Sequence, residues 1–254
     1  MKIVYYIYIN PLKNWKSIVL GQINDLKTVG LLSFAKLYCV ICTENKDLFD
    51  ECETLIPKES ECEYISQNQY EYPGLKKLHD LGTEYPEEIF LYMHTKGMVF
   101  HGQKGRLDQE IKILRNTINN WKYINNLFNN NSQIDKVGLF PSHDGIFWFN
   151  FFWIRGSFLK NIPPPIITNN RYYYEHGFII NKNKINNFFN LLFFDKTPIR
   201  PRGAFKILKL LNKSFNVNFI NFDFKKYINK YKEYKTNSRF VIIQQFKNLQ
   251  RNLL

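Results

Sequence analysis

Residues 88 to 97 read EIFLYMHTKG, an apolar run that ends abruptly in His94, Thr95, Lys96 and Gly97. Polar groups at the end of a buried strand are where α/β proteins place their ligands, outside the carboxyl ends of the strands. A lysine ammonium beside a glycine backbone suits a phosphate-bearing ligand, and Arg106 could add a second cation. The same rule puts Tyr8, Asn10, Glu44 and residues 68 to 70 along one rim. The plain alternative for Lys96 is an ordinary lysine ending a strand. Its grouping with His94, Thr95 and Gly97 favours a ligand.

Several familiar chemistries lack their motifs. There is no G-x-G-x-x-G and no G-x-x-x-x-G-K-[ST], which argues against a dinucleotide-binding domain and a P-loop NTPase. H-E-x-x-H is absent, and so is the G-x-S-x-G of a hydrolase nucleophile elbow. Cys39 and Cys42 form a C-x-x-C, which could suggest zinc or redox work. On a strand, however, residues three apart point to opposite faces. With Cys52 and Cys62 spaced too widely for a zinc knuckle, buried free thiols in a reducing cytosol are the preferred reading.

The elements that must hold this rim alternate along the chain. Strands are expected over 3–9, 35–43, 62–68 and 88–95. Between them lie a helix over 14–32, with Trp15, Ile18, Leu20, Ile23 and Leu26 near helical spacing, a short helix around 47–55, and a helix beginning after Pro73. This order predicts a mainly parallel sheet flanked by helices, a Rossmann-like α/β fold. One amphipathic helix is expected over 106–128, carrying Ile111, Leu114, Ile118, Trp121 and Ile124. KVGLFP reads as a strand, the aromatic stretch 145–163 as one or two strands and a turn, and the segment from Arg171 to Phe194 as helical.

Charge is uneven along the 254 residues. Residues 200 to 254 hold 13 Lys and Arg against Asp223 and Glu233, a net +11 of the chain's +13. A boundary is expected within TPIRPRG (197–203), dividing a domain over 1–199 from a basic, mainly helical C-terminal appendage over 200–254. Such a tail could meet an anionic membrane surface or pack on the domain or a second subunit. No nucleic-acid module signature is present, and no nucleic-acid partner is expected. No apolar run is long enough to span a membrane, and the first residues read as a strand rather than a signal peptide. The expected location is cytoplasmic, either free or peripheral at the inner face of a membrane.

Four stretches together resemble a known family: YINPLKNWKSIVLGQINDLKTVGL, YEYPGLKKLHDLG, LYMHTKG and NFFWIRGSFLKNIP. They are similar to bacterial and large-virus glycosyltransferases related to rhamnan-synthesis-type and capsule-synthesis proteins. The likeness spans residues 1 to about 185 and leaves out the tail. It implies a GT-A fold, with a nucleotide-binding half joined to an acceptor-binding half. The implied activity moves a hexosyl group from a nucleotide-diphosphate sugar, a UDP-sugar first, to a hydroxyl of a glycan or lipid-linked acceptor.

Many GT-A enzymes hold Mg²⁺ or Mn²⁺ through an Asp-x-Asp near the fourth strand's end, and this sequence has none. Two readings stay open. Lys96, with Arg106, could supply the positive charge without a metal. Alternatively His94 and a distant carboxylate could hold a metal, with manganese favoured over magnesium by the imidazole. The metal-independent reading is preferred. The resemblance also places a general base after the aromatic strand, which points to Glu175 with His176 as partner or substitute, and to Asp144 second. Asp144 could instead contact the donor sugar. Trp148 and Trp153 are candidates to stack on an acceptor sugar, while core packing is the default for that aromatic run. The family usually has Gly before the Asn-Phe-aromatic run; here Phe149 precedes Asn150. The alternative to an enzyme is a non-catalytic sugar- or nucleotide-binding or scaffolding protein on the same fold, favoured by the missing Asp-x-Asp.

Overall fold

A computed structural model describes residues 1–96, 105–141, 146–176, 178 and 188–191; for 148, 171, 175, 176, 189 and 190 it describes the backbone alone. The chain is mixed α/β. β1 (Lys2–Tyr8), β2 (Lys36–Cys42), β3 (Glu61–Ile65) and β4 (Ile89–His94) alternate with α1 (Trp15–Thr28), α2 (Lys46–Glu53) and α3 (Tyr72–Glu84). They are followed by α4 (Asp108–Ile118), α5 (Trp121–Asn130), β5 (Lys136–Gly138), β6 (Phe152–Arg155), α6 (Gly156–Lys160), α7 (Arg171–His176) and β7 (Phe188–Asn190).

The strands form one seven-stranded sheet in the order β3-β2-β1-β4-β6-β5-β7. β3, β2, β1 and β4 are mutually parallel, with Tyr8 opposite Cys42 and Tyr6 opposite His94. β6 alone is inserted antiparallel, between β4 and β5, and β7 returns parallel to β5. The expected mainly parallel sheet is therefore present.

Helices cover both faces, which is why the central strands are continuously apolar. On one face Ile3, Tyr5 and Ile7 of β1 pack under Ile18, Ile23 and Leu26 of α1, and Leu114, Ile124 and Phe128 extend that core through α4 and α5. On the other, Val4, Tyr6, Phe90 and Tyr92 meet Leu75, Leu78 and Leu81 of α3 and Leu159 of α6. Cys39 lies in the first core and Cys42 in the second, as the alternation of a strand requires.

Five local expectations change. Within the stretch 145–163, expected as strands and a turn, Gly156–Lys160 forms the helix α6. The helix over 106–128 is two helices, broken at Asn119 and Asn120; asparagine competes with the helix for its own backbone. The break turns Trp121 so that its indole Nε1 donates to the Val29 carbonyl at 2.9 Å. On α1, Val19 is buried and Leu20 is exposed. β3 ends at Ile65, leaving 66–68 to a loop. The segment expected to be helical after Arg171 gives a six-residue helix and then a strand at Phe188–Asn190. No helix among the described residues is long and apolar enough to cross a membrane. The boundary near 197–203 and the basic tail lie outside the described residues.

Candidate functional site

The sequence of strands reverses direction between β1 and β4. β2 and β3 build outwards from one side of β1, and β4 returns to its other side. Such a switch point opens a crevice at the carboxyl ends of the two strands. Thr95 closes its floor. Its hydroxyl accepts from the Tyr8 amide at 2.9 Å and donates to the Tyr8 carbonyl at 3.1 Å, and its own amide donates to the Tyr6 carbonyl at 3.1 Å. Thr95 is buried. Thr95, grouped with the expected ligand-binding residues, thus spends its hydroxyl on a staple between the two strands.

Tyr8, Asn10, Glu44 and Lys96 do share this rim. The Tyr8 phenol is pushed up by burial first, then by Cys42 and Glu44, with a hydrogen bond to Asn68 acting the other way. Tyr8, Glu44 and Asn68 are therefore neighbours. Asn10 makes a turn: its Oδ1 accepts from the Leu12 amide at 3.0 Å, steering the chain away from β1 towards α1. Glu44 is exposed at the end of β2, one residue before Asn45, whose side chain caps α2 by accepting from the Asp47 amide. Lys96 is half-buried, with Nζ 5.6 Å from the centre of the Phe149 ring.

Below the rim lies a polar cluster that the sequence reading did not assemble. Glu71, just before α3, accepts at Oε2 from Asn150 Nδ2 at 2.6 Å and from the Tyr92 hydroxyl at 3.3 Å. Its Oε1 lies 3.7 Å from His94 Nδ1. His94 Nε2 donates to the Phe149 carbonyl at 2.8 Å; a carbonyl only accepts, so this nitrogen carries a proton. Asn150 Nδ2 also meets the Tyr174 carbonyl of α7 at 3.4 Å, while its Oδ1 is buried without a partner among the described residues. Burial, then the Glu71 charge, holds the Tyr92 phenol well above the usual range.

Local sequence explains the assembly. Pro73 sits in the first turn of α3, and a Cβ on Gly74 would stand 2.5 Å from Tyr6 Cβ, so only glycine lets α3 approach β1 this closely. Phe149 and Asn150 have φ of 60° and 56°, and this left-handed pair turns the chain into β6. The available signals were an acid directly before Tyr72-Pro73 and a single Asn inside an aromatic run.

Two candidates are corrected. The Arg106 guanidinium is committed elsewhere: Nε and Nη2 fork onto Glu110, both at 2.8 Å, and Nη1 donates to Asp25 at 2.6 Å. Arg115 donates to the other Asp25 oxygen at 2.8 Å. Glu110 is fully buried, so withdrawing Arg106 towards a ligand would strand a buried carboxylate. Gln22 joins this brace to the site, donating to Glu110 at 2.8 Å and to the His94 carbonyl at 3.1 Å. Trp153 is the second correction. It is fully buried and its Nε1 donates to the Thr117 carbonyl at 2.9 Å, so it packs the core and cannot stack on a sugar.

His94 is buried, and its ring is held within the cluster rather than presented to a diphosphate. As a metal ligand it would use Nδ1 beside Glu71, two donors. The described residues contain no group of three or more His, Cys, Asp or Glu able to hold a metal. They do not by themselves complete such a site. α7 brings the backbone of Glu175 and His176 next to Tyr174, and so to the Asn150 side of the cluster. The side chains of Glu175, His176 and Trp148, and the whole of Gly97 and Asp144, lie outside the described residues.

No known family model matches the chain, and no curated protein matches it. Among solved structures it is similar to a cytidylyltransferase from Leptospira borgpetersenii serovar Hardjo-bovis (strain JB197), at 16% identity and a TM-score of 0.42. That likeness covers 93% of this chain and 97% of the other.

Proposed function

We propose that the protein is a glycosyltransferase that takes a hexosyl group from a nucleotide-diphosphate sugar, a UDP-sugar first, and places it on a hydroxyl of a glycan or lipid-linked acceptor. One observation carries this reading: Lys96 stands at the switch point between β1 and β4, at the carboxyl end of a fully buried strand. The resemblance of LYMHTKG and its companion stretches to polysaccharide-synthesis glycosyltransferases supports it. So does the division of the sheet into a parallel half, β3-β2-β1-β4, and a second half built from β6, β5 and β7.

In this reading the acceptor oxygen attacks the anomeric carbon, and the bond from that carbon to the diphosphate oxygen breaks. The Lys96 ammonium stabilises the charge that develops on the departing diphosphate. The Glu175 carboxylate takes the proton from the acceptor hydroxyl, with His176 beside it, and configuration inverts. Asp144 contacts the donor sugar or replaces Glu175. Tyr8, Asn10 and Glu44 flank the nucleotide. A manganese ion, if bound, would supply the same neutralisation as Lys96 and would need His94 together with donors beyond the described residues. The basic tail, net +11, would hold the enzyme at an anionic membrane where lipid-linked acceptors reside.

The test is a panel of nucleotide sugars with and without Mn²⁺, read by donor binding and by release of the nucleoside diphosphate. Binding and release that persist in chelator support the Lys96 reading. The non-catalytic reading is favoured by the missing Asp-x-Asp. It predicts donor binding with no release, and no loss of function on Glu175→Gln. Absence of binding to every donor overturns the glycosyltransferase reading.

A further inference from the structure

We propose that Cys62 and Cys39 form a thiol pair that hydrogen peroxide converts to a disulfide. The two residues are register partners on the adjacent parallel strands β3 and β2. Their side chains leave the sheet on the same face, towards α2. Paired strands lie about 4.8 Å apart, inside the roughly 4.4–6.8 Å between Cα atoms that a disulfide spans. Backbone movement to join them is therefore small.

The pair is asymmetric in a way that assigns roles. β3 is the edge strand of the sheet, and Cys62 is half-buried there while Cys39 is wholly buried. Peroxide reaches Cys62 first. A hydrogen bond from Cys39 also draws the Cys62 thiol below its ordinary value, while burial pushes Cys39 well up. The thiolate is the nucleophile, so the exposed partner is also the reactive one. The Cys62 sulfur attacks one peroxide oxygen; the O–O bond breaks and water leaves, giving a sulfenic acid. The Cys39 sulfur then attacks the Cys62 sulfur, the S–O bond breaks, and the hydroxyl leaves as a second water with the Cys39 proton. One peroxide is reduced to two waters and two thiols are oxidised to one disulfide.

Cys52 of α2 is the competing resolver, since it lies in the same core and feels the Cys62 charge. It sits on a different element, out of register with β3. Cys42 opens onto the opposite face of the sheet, with its thiol donating to the Gln67 carbonyl at 3.3 Å. The bridge would fix the edge strand whose continuation carries Asn68 and Glu71.

The experiment treats the native full chain with hydrogen peroxide, blocks remaining thiols under denaturation, and maps the peptides by mass spectrometry without reduction. The expected result is loss of two hydrogens per chain, a linked Cys39–Cys62 peptide, and recovery of both thiols with dithiothreitol. Cys62→Ser should abolish the link, and Cys52→Ala and Cys42→Ala should keep it. The wild-type map stands even where a variant fails to fold. A Cys52–Cys62 link, over-oxidation of Cys62 with Cys39 still free, or unmodified thiols at peroxide levels that oxidise free cysteine would each overturn the proposal.

Discussion

Asn150 Nδ2 donates to Glu71 Oε2 at 2.6 Å across 79 positions of sequence, tying the turn before β6 to the start of α3 beneath the rim. Both side chains are largely out of water, with Asn150 2% and the Glu71 side chain 12% exposed. Breaking such a bond strands a buried group, which costs about 1–3 kcal/mol. Glu71→Ala should therefore lower stability to urea by about that amount. Asn150→Gly tests the other end without imposing a β-carbon on a left-handed residue. In a double-mutant cycle the two losses should be strongly non-additive. Fully additive losses would show that the two residues act independently.

Lys96 is the residue on which the proposed diphosphate site turns. A charge-assisted hydrogen bond contributes about 1.5–3 kcal/mol, so Lys96→Ala should weaken UDP and UDP-sugar binding roughly tenfold or more. Stability should change by no more than about 0.5 kcal/mol, as for other substitutions away from the core. Lys96→Arg should recover part of the affinity. Titration calorimetry and a urea melt on the same sample separate the two effects. Unchanged nucleotide affinity in Lys96→Ala would remove this lysine from the site.

The parallel half of the sheet was legible because β1, β2 and β4 are long apolar runs separated by helical spacing. The second half was legible only in part: KVGLFP marks β5 and the aromatic stretch contains β6, but β7 is three residues long, too short to show a period, and lies inside an Asn- and Phe-rich stretch that also reads as helix. The rim was legible for Tyr8, Glu44 and Lys96, because a strand's end follows from the strand. Arg106 shows the limit: its type and position suit a phosphate, and only the buried carboxylates of Asp25 and Glu110 reveal its task. Glu71 and Asn150 meet only in the folded chain.

Trp153 separates a core role from an acceptor-binding role. It is fully buried, and truncating a buried tryptophan costs about 3–5 kcal/mol. Trp153→Ala should show that loss in a denaturant melt. Trp153→Phe should lose less, since it removes chiefly the hydrogen bond to Thr117. An unchanged melt combined with lost acceptor binding would return Trp153 to the surface.

The Arg106 brace is tested by neutralising it in pairs. Arg106→Met alone leaves Glu110 charged and buried, at a cost of about 3–5 kcal/mol. Arg106→Lys should restore only part of this, because an ammonium cannot fork onto Glu110. Combining Arg106→Met with Glu110→Gln should recover more than half of the loss. If the double variant is as unstable as the single one, the stranded carboxylate is not the cause.

Alkaline pH should destabilise the fold through groups buried in their neutral form. Burial raises the Cys52 thiol from its ordinary 9.0 to about 12, and raises the Tyr5 and Tyr92 phenols well above 10. Above pH 9 the unfolded chain loses the Cys52 proton, and above pH 10 the two phenol protons, while the folded chain retains them. The unfolded state then binds fewer protons, so stability falls as pH rises. The contribution of Cys52 is complete below pH 9 and is lost as pH climbs towards 12. Thermal midpoints measured in reducing buffer should hold level from pH 7 to about 8.5 and then drop progressively. Cys52→Ala removes one of the three groups, so its midpoint should fall less steeply above pH 9 than that of the parent chain. Parallel profiles would mean that Cys52 ionises equally easily folded and unfolded, against the burial that raises it.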